Sequence, residues 1–248
     1  MNFDVSALFS KKSCRVVFVD NADSSTLVED AILAAKPEYA TQINAAFLPK
    51  KVGPFTIKNK KCLWEILMGA RASWVNGLEF LLSQTEKIDI RAYEYRSPRA
   101  LSQNQLMRAS ILYDILDGKE SFIINDCFVR NNGEKFLNRE KDSPCTISKY
   151  MKNYEESKNA PLNLVWITDM TPSTLFEKLG KDCVTSSFYS FFTVIGERVI
   201  KCDKAELIAT GDAVLSVPEE YRTDDTIDEE TEVWDEPAVV EKKPFILD

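Results

Sequence analysis

Polar punctuation divides most of this chain into short apolar strands and amphipathic helices. Residues 15–20 (RVVFVD) read as a short buried strand rich in β-branched side chains. Thr26 with Glu29 fits a capping box for a helix over about 27–35, and Pro37 is suited to open a second helix to about Phe47. Residues 52–57 read as a strand. From Lys60 to Leu82 the apolar residues Leu63, Ile66, Leu67, Ala70, Trp74, Leu78 and Leu81 recur at steps of three and four, which predicts a helix with a core-facing stripe. Gly69 and Gly77 within it mark close packing or a kink. Residues 88–95 alternate, which predicts a strand with Ile88, Ile90 and Ala92 on one face and Arg91, Tyr93 and Tyr95 on the other.

The second half is punctuated in the same way. Pro98 opens a helix through Leu116, with Gly118 in the C′ position. Residues 121–130 form a strand, Asn132-Gly133 a turn, 147–157 a helix and 162–168 (LNLVWIT) a strand. Thr171-Pro172 caps a short helix that Gly180 ends. Two long strands over about 184–195 and 198–209 meet at Gly196-Glu197, a sequence suited to a type II′ hairpin. No internal repeat is present. The order predicts an α+β fold: a mixed, partly antiparallel sheet with packed helices. The five strands near 88, 121, 162, 184 and 198 admit an OB-like barrel in the second half.

Composition narrows the chemistry. The chain has 248 residues, 44% hydrophobic and 28% charged, which is ordinary for a globular protein. It contains no histidine, which removes Ser-His-Asp and Cys-His catalysis and imidazole metal sites. Its eight glycines include no GxGxxG and no GxxxxGK[ST], so a nucleotide-cradling loop of the usual kind is not expected. The cysteines at 14, 62, 127, 145, 183 and 202 contain no CxxC pair and read as buried thiols of a reducing compartment. No apolar run approaches the ~18 residues of a membrane span, and no signal peptide is apparent, so a cytoplasmic protein is expected. No catalytic residue, metal ligand or cofactor is assigned, and the protein is read as not an enzyme. Carboxylates with a divalent metal, or a lysine, are the routes by which an enzyme would be built.

Charge changes the picture of the C-terminus. Residues 218–248 hold twelve acids and three bases, net −9, while the remainder holds 28 bases and 27 acids, net +1. The chain is therefore divided into a globular body, 1–217, and an acidic tail, 218–248, expected to be disordered in isolation. Trp234, Phe245, Ile246 and Leu247 stand in the tail as apolar anchors for a protein partner. Here the chain resembles the single-stranded-DNA-binding proteins of bacteria and their phages. Asp224 to Glu236 looks like their acidic stretch, and Phe245 is the matching aromatic. The resemblance implies an OB-type body and a tail that docks on replication enzymes and competes with DNA for the binding groove.

Three patches fit that expectation. Arg91, Tyr93, Tyr95, Arg96 and Arg99 interleave cations for phosphates with flat rings for bases; their alternative is an ordinary solvent face. Lys50, Lys51, Lys58, Lys60 and Lys61 would neutralise phosphates, or form a solvated loop and helix start. Phe188, Tyr189, Phe191 and Phe192, with Arg198, Lys201 and Lys204 on the partner strand, offer either a stacking platform or a core. The leading expectation is a non-catalytic nucleic-acid-binding protein, for single-stranded DNA first, whose tail recruits replication, recombination or transcription partners. A regulatory factor of phage or mobile-element type acting on a host complex is the alternative, and a carboxylate–metal enzyme the third.

Overall fold

Strand β1, Cys14–Phe18, is buried at every position because it is hydrogen-bonded on both edges and covered on both faces. A computed structural model describes residues 3–9, 13–20, 22–39, 43, 45–48, 50–52, 55–57, 61–127, 143–158 and 162–210. β4 (Ser121–Asn125), β5 (Asn163–Thr168), β6 (Tyr189–Ile195) and β7 (Arg198–Lys201) join β1 in a sheet of order β4-β5-β1-β6-β7. β1 pairs in parallel with both β5 and β6, and β4 with β5. β6–β7 is the sheet's antiparallel pair, turned at Gly196, whose φ of 56° suits the first central position of a II′ hairpin. A separate hairpin joins β2 (Lys50–Val52) to β3 (Phe55–Ile57).

The two-residue period of the strands feeds two cores. Cys14, Val16 and Phe18 of β1, with Phe122, Leu164, Trp166 and Phe191, face one side. There they meet α4 (Gln103–Leu116), α5 (Ser143–Lys158) and α6 (Pro172–Leu179) through Ile111, Ile147, Met151 and Leu175. Val17, with Ile123, Val165, Ile167 and Phe192, faces the other side, where α1 (Ala22–Ala35) lays down Val28 and Ile32 and the N-terminal segment adds Val5 and Leu8. Helices on both faces explain why strands such as RVVF and LVWI read as continuous apolar runs rather than alternating ones.

Several elements depart from the sequence reading. α1 starts at Ala22, so Thr26 lies exposed in its second turn rather than at its N-terminus. Where the sequence predicts a second helix to Phe47, the described residues show a 3-10 turn, Ala45–Phe47. The helix expected from Lys60 is broken twice, and both glycines lie at the breaks. α2 (Leu63–Leu67) ends before Gly69, α3 (Arg71–Lys87) begins after an extended Ala70, and within α3 Gly77 takes φ 78° and ψ −175°. Leu63, Ile66, Leu67, Ala70 and Leu81 are core as expected, but Trp74, Val75 and Leu78 project into solvent around Gly77.

No strand forms over 88–95. Ile88 and Ile90 are buried from a turn in which Asp89 takes φ 58°, followed by a 3-10 turn, Arg91–Tyr93. A turn through a left-handed residue imitates the buried–exposed alternation of a strand. The expected long strands after Gly180 become α7 (Lys181–Thr185) with β6, and β7 with α8 (Lys204–Thr210). With one strand removed and the rest chiefly parallel, the described residues of the second half form no OB-like barrel; their strands join β1 in an α/β sheet. The helix 98–116 is a 3-10 turn, Pro98–Ala100, then α4, which Ser102 caps in a reciprocal box with Gln105. Gly118, φ 93°, follows as the C′ residue. α6 is bounded by Thr171 and Gly180 as read from sequence. The Asn132-Gly133 turn and the acidic tail lie outside the described residues.

Phe191 packs against Phe18 and Phe176 at centroid distances of 6.2 and 5.2 Å, whereas Tyr95 is 80% exposed. Phe191→Ala should therefore cost about 3–5 kcal/mol in urea denaturation, and Tyr95→Ala no more than about 0.5 kcal/mol. Burial also raises the Tyr150, Tyr189 and Cys14 ionisations and pushes the Cys202 thiol up to about 12. All four shifts share a sign. Their stabilising contribution is complete below the ordinary thiol and phenol values of 9.0 and 10.0 and is lost as pH rises above them. Tyr150→Phe removes one of these ionisations, so its urea midpoint should fall less than that of the wild type above about pH 10.

Candidate functional site

Three parallel strands end in the same way. Each apolar run closes on an aspartate at its carboxyl end: Asp20 after β1, Asp126 after β4 and Asp169 after β5. The chain leaves β1 into α1 on one face of the sheet and leaves β5 into α6 on the other. Adjacent parallel strands whose connections diverge to opposite faces open a crevice at their carboxyl ends, where open α/β sheets place their ligands. The N-terminus of α1, the positive end of its dipole, lies at this crest because α1 follows β1 directly.

Asn125 is the hub of the crest. It is buried, donates from Nδ2 to Glu29 Oε2 at 2.7 Å and to Ser25 Oγ at 3.3 Å, and accepts from the Cys127 N–H at 3.1 Å. It thereby ties the first turns of α1 to the end of β4. Thr168 donates to Asp126 Oδ2 at 3.3 Å and accepts the Met170 N–H at 3.2 Å, which ties β5 to β4. The backbone closes the rim: the Val19 N–H donates to Thr168 O at 3.0 Å and the Asp126 N–H to Ile167 O at 2.8 Å. Around this network stand Asp20, Asp23, Glu29, Asp126 and Asp169, and residues 19–29, 125–127 and 168–171 contain no lysine or arginine. The crest is thus a polar, acidic rim above an apolar sheet. Residues 20–26 (DNADSST) join strand to helix with neither glycine nor lysine.

Those residues singled out from sequence that the structure describes lie elsewhere. Arg91, Tyr93, Tyr95, Arg96 and Arg99 occupy the turns between α3 and α4, not a strand. Arg91, Tyr95, Arg96 and Arg99 are exposed, while Tyr93 is half-buried with the Arg96 guanidinium 5.3 Å above its ring. This segment meets the start of α2: the Leu63 N–H donates to Arg96 O at 2.9 Å and the Trp64 N–H to Glu94 O at 2.8 Å. Exposed Lys61, two residues before Leu63, is brought beside it. Lys50 and Lys51 belong to β2, and Lys58 and Lys60 lie outside the described residues, as do Trp234, Phe245, Ile246 and Leu247. Phe188, Tyr189, Phe191 and Phe192 are all buried, because both faces of the sheet are covered, so no stacking platform exists there. Lys204 donates to Ser186 O at 2.6 Å and Tyr189 O at 3.3 Å. Among the described residues, no group of three or more His, Cys, Asp or Glu is placed to hold a metal ion.

The sheet and its crevice are those of an α/β fold built on parallel strands. No family model matches the chain, and no curated protein matches it. Among solved structures it is similar to an ATP-binding subunit of an ABC transporter, at 17% identity over 80% of this chain and 81% of that one, TM-score 0.44. It is also similar to cbiO1 from Clostridium perfringens, part of the ABC transporter complex cbiONQ, at 12% identity over 80% of each chain, TM-score 0.44. A third is an RNase-L inhibitor, at 16% identity over 77% of this chain and 34% of that one, TM-score 0.46. These are not single-stranded-DNA-binding proteins. The resemblance read from the tail is corrected accordingly, and so are the expected DNA binding, the replication partners and the absence of enzymatic function. The physical grounds agree: among the described residues there is no OB-like barrel, one aromatic patch is core, and the Arg91–Arg99 patch lies in turns rather than on a strand.

The polar residues missed in sequence, Ser25, Asn125, Asp126 and Thr168, carried a legible signal. An apolar run that ends abruptly on a polar residue and an aspartate occurs in FIIND and again in VWITD. Asn125→Asp would set a carboxylate 2.7 Å from Glu29 Oε2. It should destabilise the protein by about 2–3 kcal/mol in urea denaturation, and Glu29→Gln added to it should restore most of that loss.

Proposed function

We propose that this chain binds a nucleoside triphosphate as its magnesium complex at the crest formed by β1, β4, β5 and the N-terminus of α1, and that hydrolysis of that nucleotide is its activity. The observation that carries the reading is the divergence of the chain to opposite faces after the adjacent parallel strands β1 and β5, with a helix N-terminus and an ordered polar network at the opening. The ATP named for one of the similar structures makes ATP the first nucleotide to test.

Charge dictates the form of the ligand. A bare polyphosphate brought to a rim of Asp20, Asp23, Glu29, Asp126 and Asp169 is repelled, and no lysine of the β1–α1 segment offsets this. A magnesium ion reverses the sign. It is commonly held by only one or two protein carboxylates, with phosphate oxygens and water completing its octahedron, so a cage of three acids is not required. Asp126, oriented by Thr168, is the carboxylate best placed to hold it. Once bound, the ion supplies Lewis-acid stabilisation of charge on the phosphates. The α1 dipole and the Ser24 hydroxyl, half-buried in its first turn, orient the phosphate end of the ligand. The six cysteines are all free thiols, and no helix among the described residues is long and apolar enough to cross a membrane. Both features support a cytoplasmic setting for this activity.

Titration of the full chain with a fluorescent ATP analogue, paired with phosphate-release kinetics, tests the reading. Saturable binding that needs magnesium and weakens about tenfold or more in Asp126→Asn is the expected outcome. Absence of saturable binding at millimolar nucleotide with magnesium present, or binding unchanged in Asp126→Asn, overturns it.

A further inference from the structure

Remote from the crest in sequence, α3 and α5 enclose a cavity of about 260 Å³. Gln84 and Lys87 come to it from α3, and Lys149, Tyr150, Asn153 and Tyr154 from α5. Residues 149 and 153, like 150 and 154, are one helical turn apart, so a polar row and an aromatic row run side by side on α5. The Tyr150 and Tyr154 rings lie 5.9 Å apart and form the apolar wall. Among the described residues two lysines line the space and no acid does.

The polar groups are held in place. Tyr150 donates its hydroxyl to Gln84 Oε1 at 2.9 Å. That fixes the orientation of Gln84, which is only 4% exposed, and turns its amide donors away from the tyrosine. Burial raises the Tyr150 ionisation, so the hydroxyl stays a neutral donor at physiological pH. Lys149 spends one of its three donors on Lys178 O at 3.0 Å. Lys87 is exposed at the mouth. The cavity therefore presents ammonium and amide donors beside a tyrosine wall, with no carboxylate among its described lining residues.

We propose that this cavity binds a small organic anion with a flat aromatic body, its ring against Tyr150 and Tyr154 and its carboxylate or phosphate between Lys87 and Lys149. An uncompensated pair of ammonium groups selects an anion, because charge-assisted hydrogen bonds are about twice as strong as neutral ones. The volume is near the lower end of ligand pockets, roughly 300–1,000 Å³, which limits the body to one ring or a fused pair. The site is independent of the nucleotide reading: it lies on other elements and needs no metal.

Binding of benzoate and of phenyl phosphate to the full chain, followed by ligand-observed NMR and calorimetry in the presence of EDTA, tests the assignment and distinguishes the two head groups. At least one should bind saturably, about tenfold or more tighter than its neutral counterpart benzyl alcohol and than acetate or inorganic phosphate. Lys87→Gln, a surface change that leaves the melting temperature of the free protein unaltered, should weaken that binding about tenfold, and Tyr154→Leu should weaken it comparably. Equal binding of benzyl alcohol, undiminished binding in Lys87→Gln, or no binding of either aromatic anion overturns the proposal. Because EDTA removes the ion that the crest requires, failure here leaves the nucleotide reading standing, and the converse holds.

Discussion

Everything in the sheet depends on β1 being hydrogen-bonded in parallel on both edges while both its faces are covered. A strand in that position has no solvent side, so each residue from Cys14 to Phe18 must satisfy one of two cores. The single charged residue in it, Arg15, is tolerated because its guanidinium reaches the strand ends, donating to Ser13 O at 3.1 Å and to Asn163 Oδ1 at 3.3 Å. Desolvation lowers its pKa, the expected sign for a cation taken out of water. Cover on two faces requires helices above and below, and those helices require the chain to cross the sheet between parallel strands.

The crevice follows from the same constraint. Because β1 hands the chain to α1 on one face and β5 hands it to α6 on the other, their carboxyl ends are not bridged by a common connection. Backbone groups at such an opening lack a further strand partner, and side chains take over: Asn125 ties α1 to β4, and Thr168 ties β4 to β5. Two hydrogen-bonding residues thereby convert a topological gap into an ordered rim. The acidic character of that rim is the feature on which the proposed function turns, since an anion would approach it only with a cation between them.

Legibility in the sequence followed local determinism. α6 was readable at both ends because Thr171, Pro172 and Gly180 act within one turn of their own position. Gly69 and Gly77 mark close packing or a kink for the same reason, and the structure breaks the expected helix at both. The stripe Leu63–Leu81 was right in part: its spacing marks a helical face, but whether Trp74 and Leu78 meet a core depends on what lies opposite, and among the described residues both are exposed. The alternation at 88–95 misled because period two arises equally from a strand and from a turn through Asp89. The basic patches were chosen by composition, which says which residues are cationic and not whether an element orders them. The rim was overlooked because each strand end contributes only one or two polar residues, distant from one another in sequence.

The amino-acid sequence by itself determined the local states: which runs are apolar enough to be strands, where helices are capped, where glycine permits a positive φ, and that histidine and glycine-loop chemistry is absent. Tertiary structure decided the rest. Whether Phe191 is a stacking platform or core, whether strands pair in parallel or roll into a barrel, and which polar residues share one opening are properties of pairing between segments far apart in the chain. Their energies depend on which faces end up covered. A run such as RVVFVD carries its own burial requirement, but the identity of its neighbours is set by the competition among all other apolar faces. That competition placed Asn125 against Glu29 and left Arg91 and Tyr95 in water.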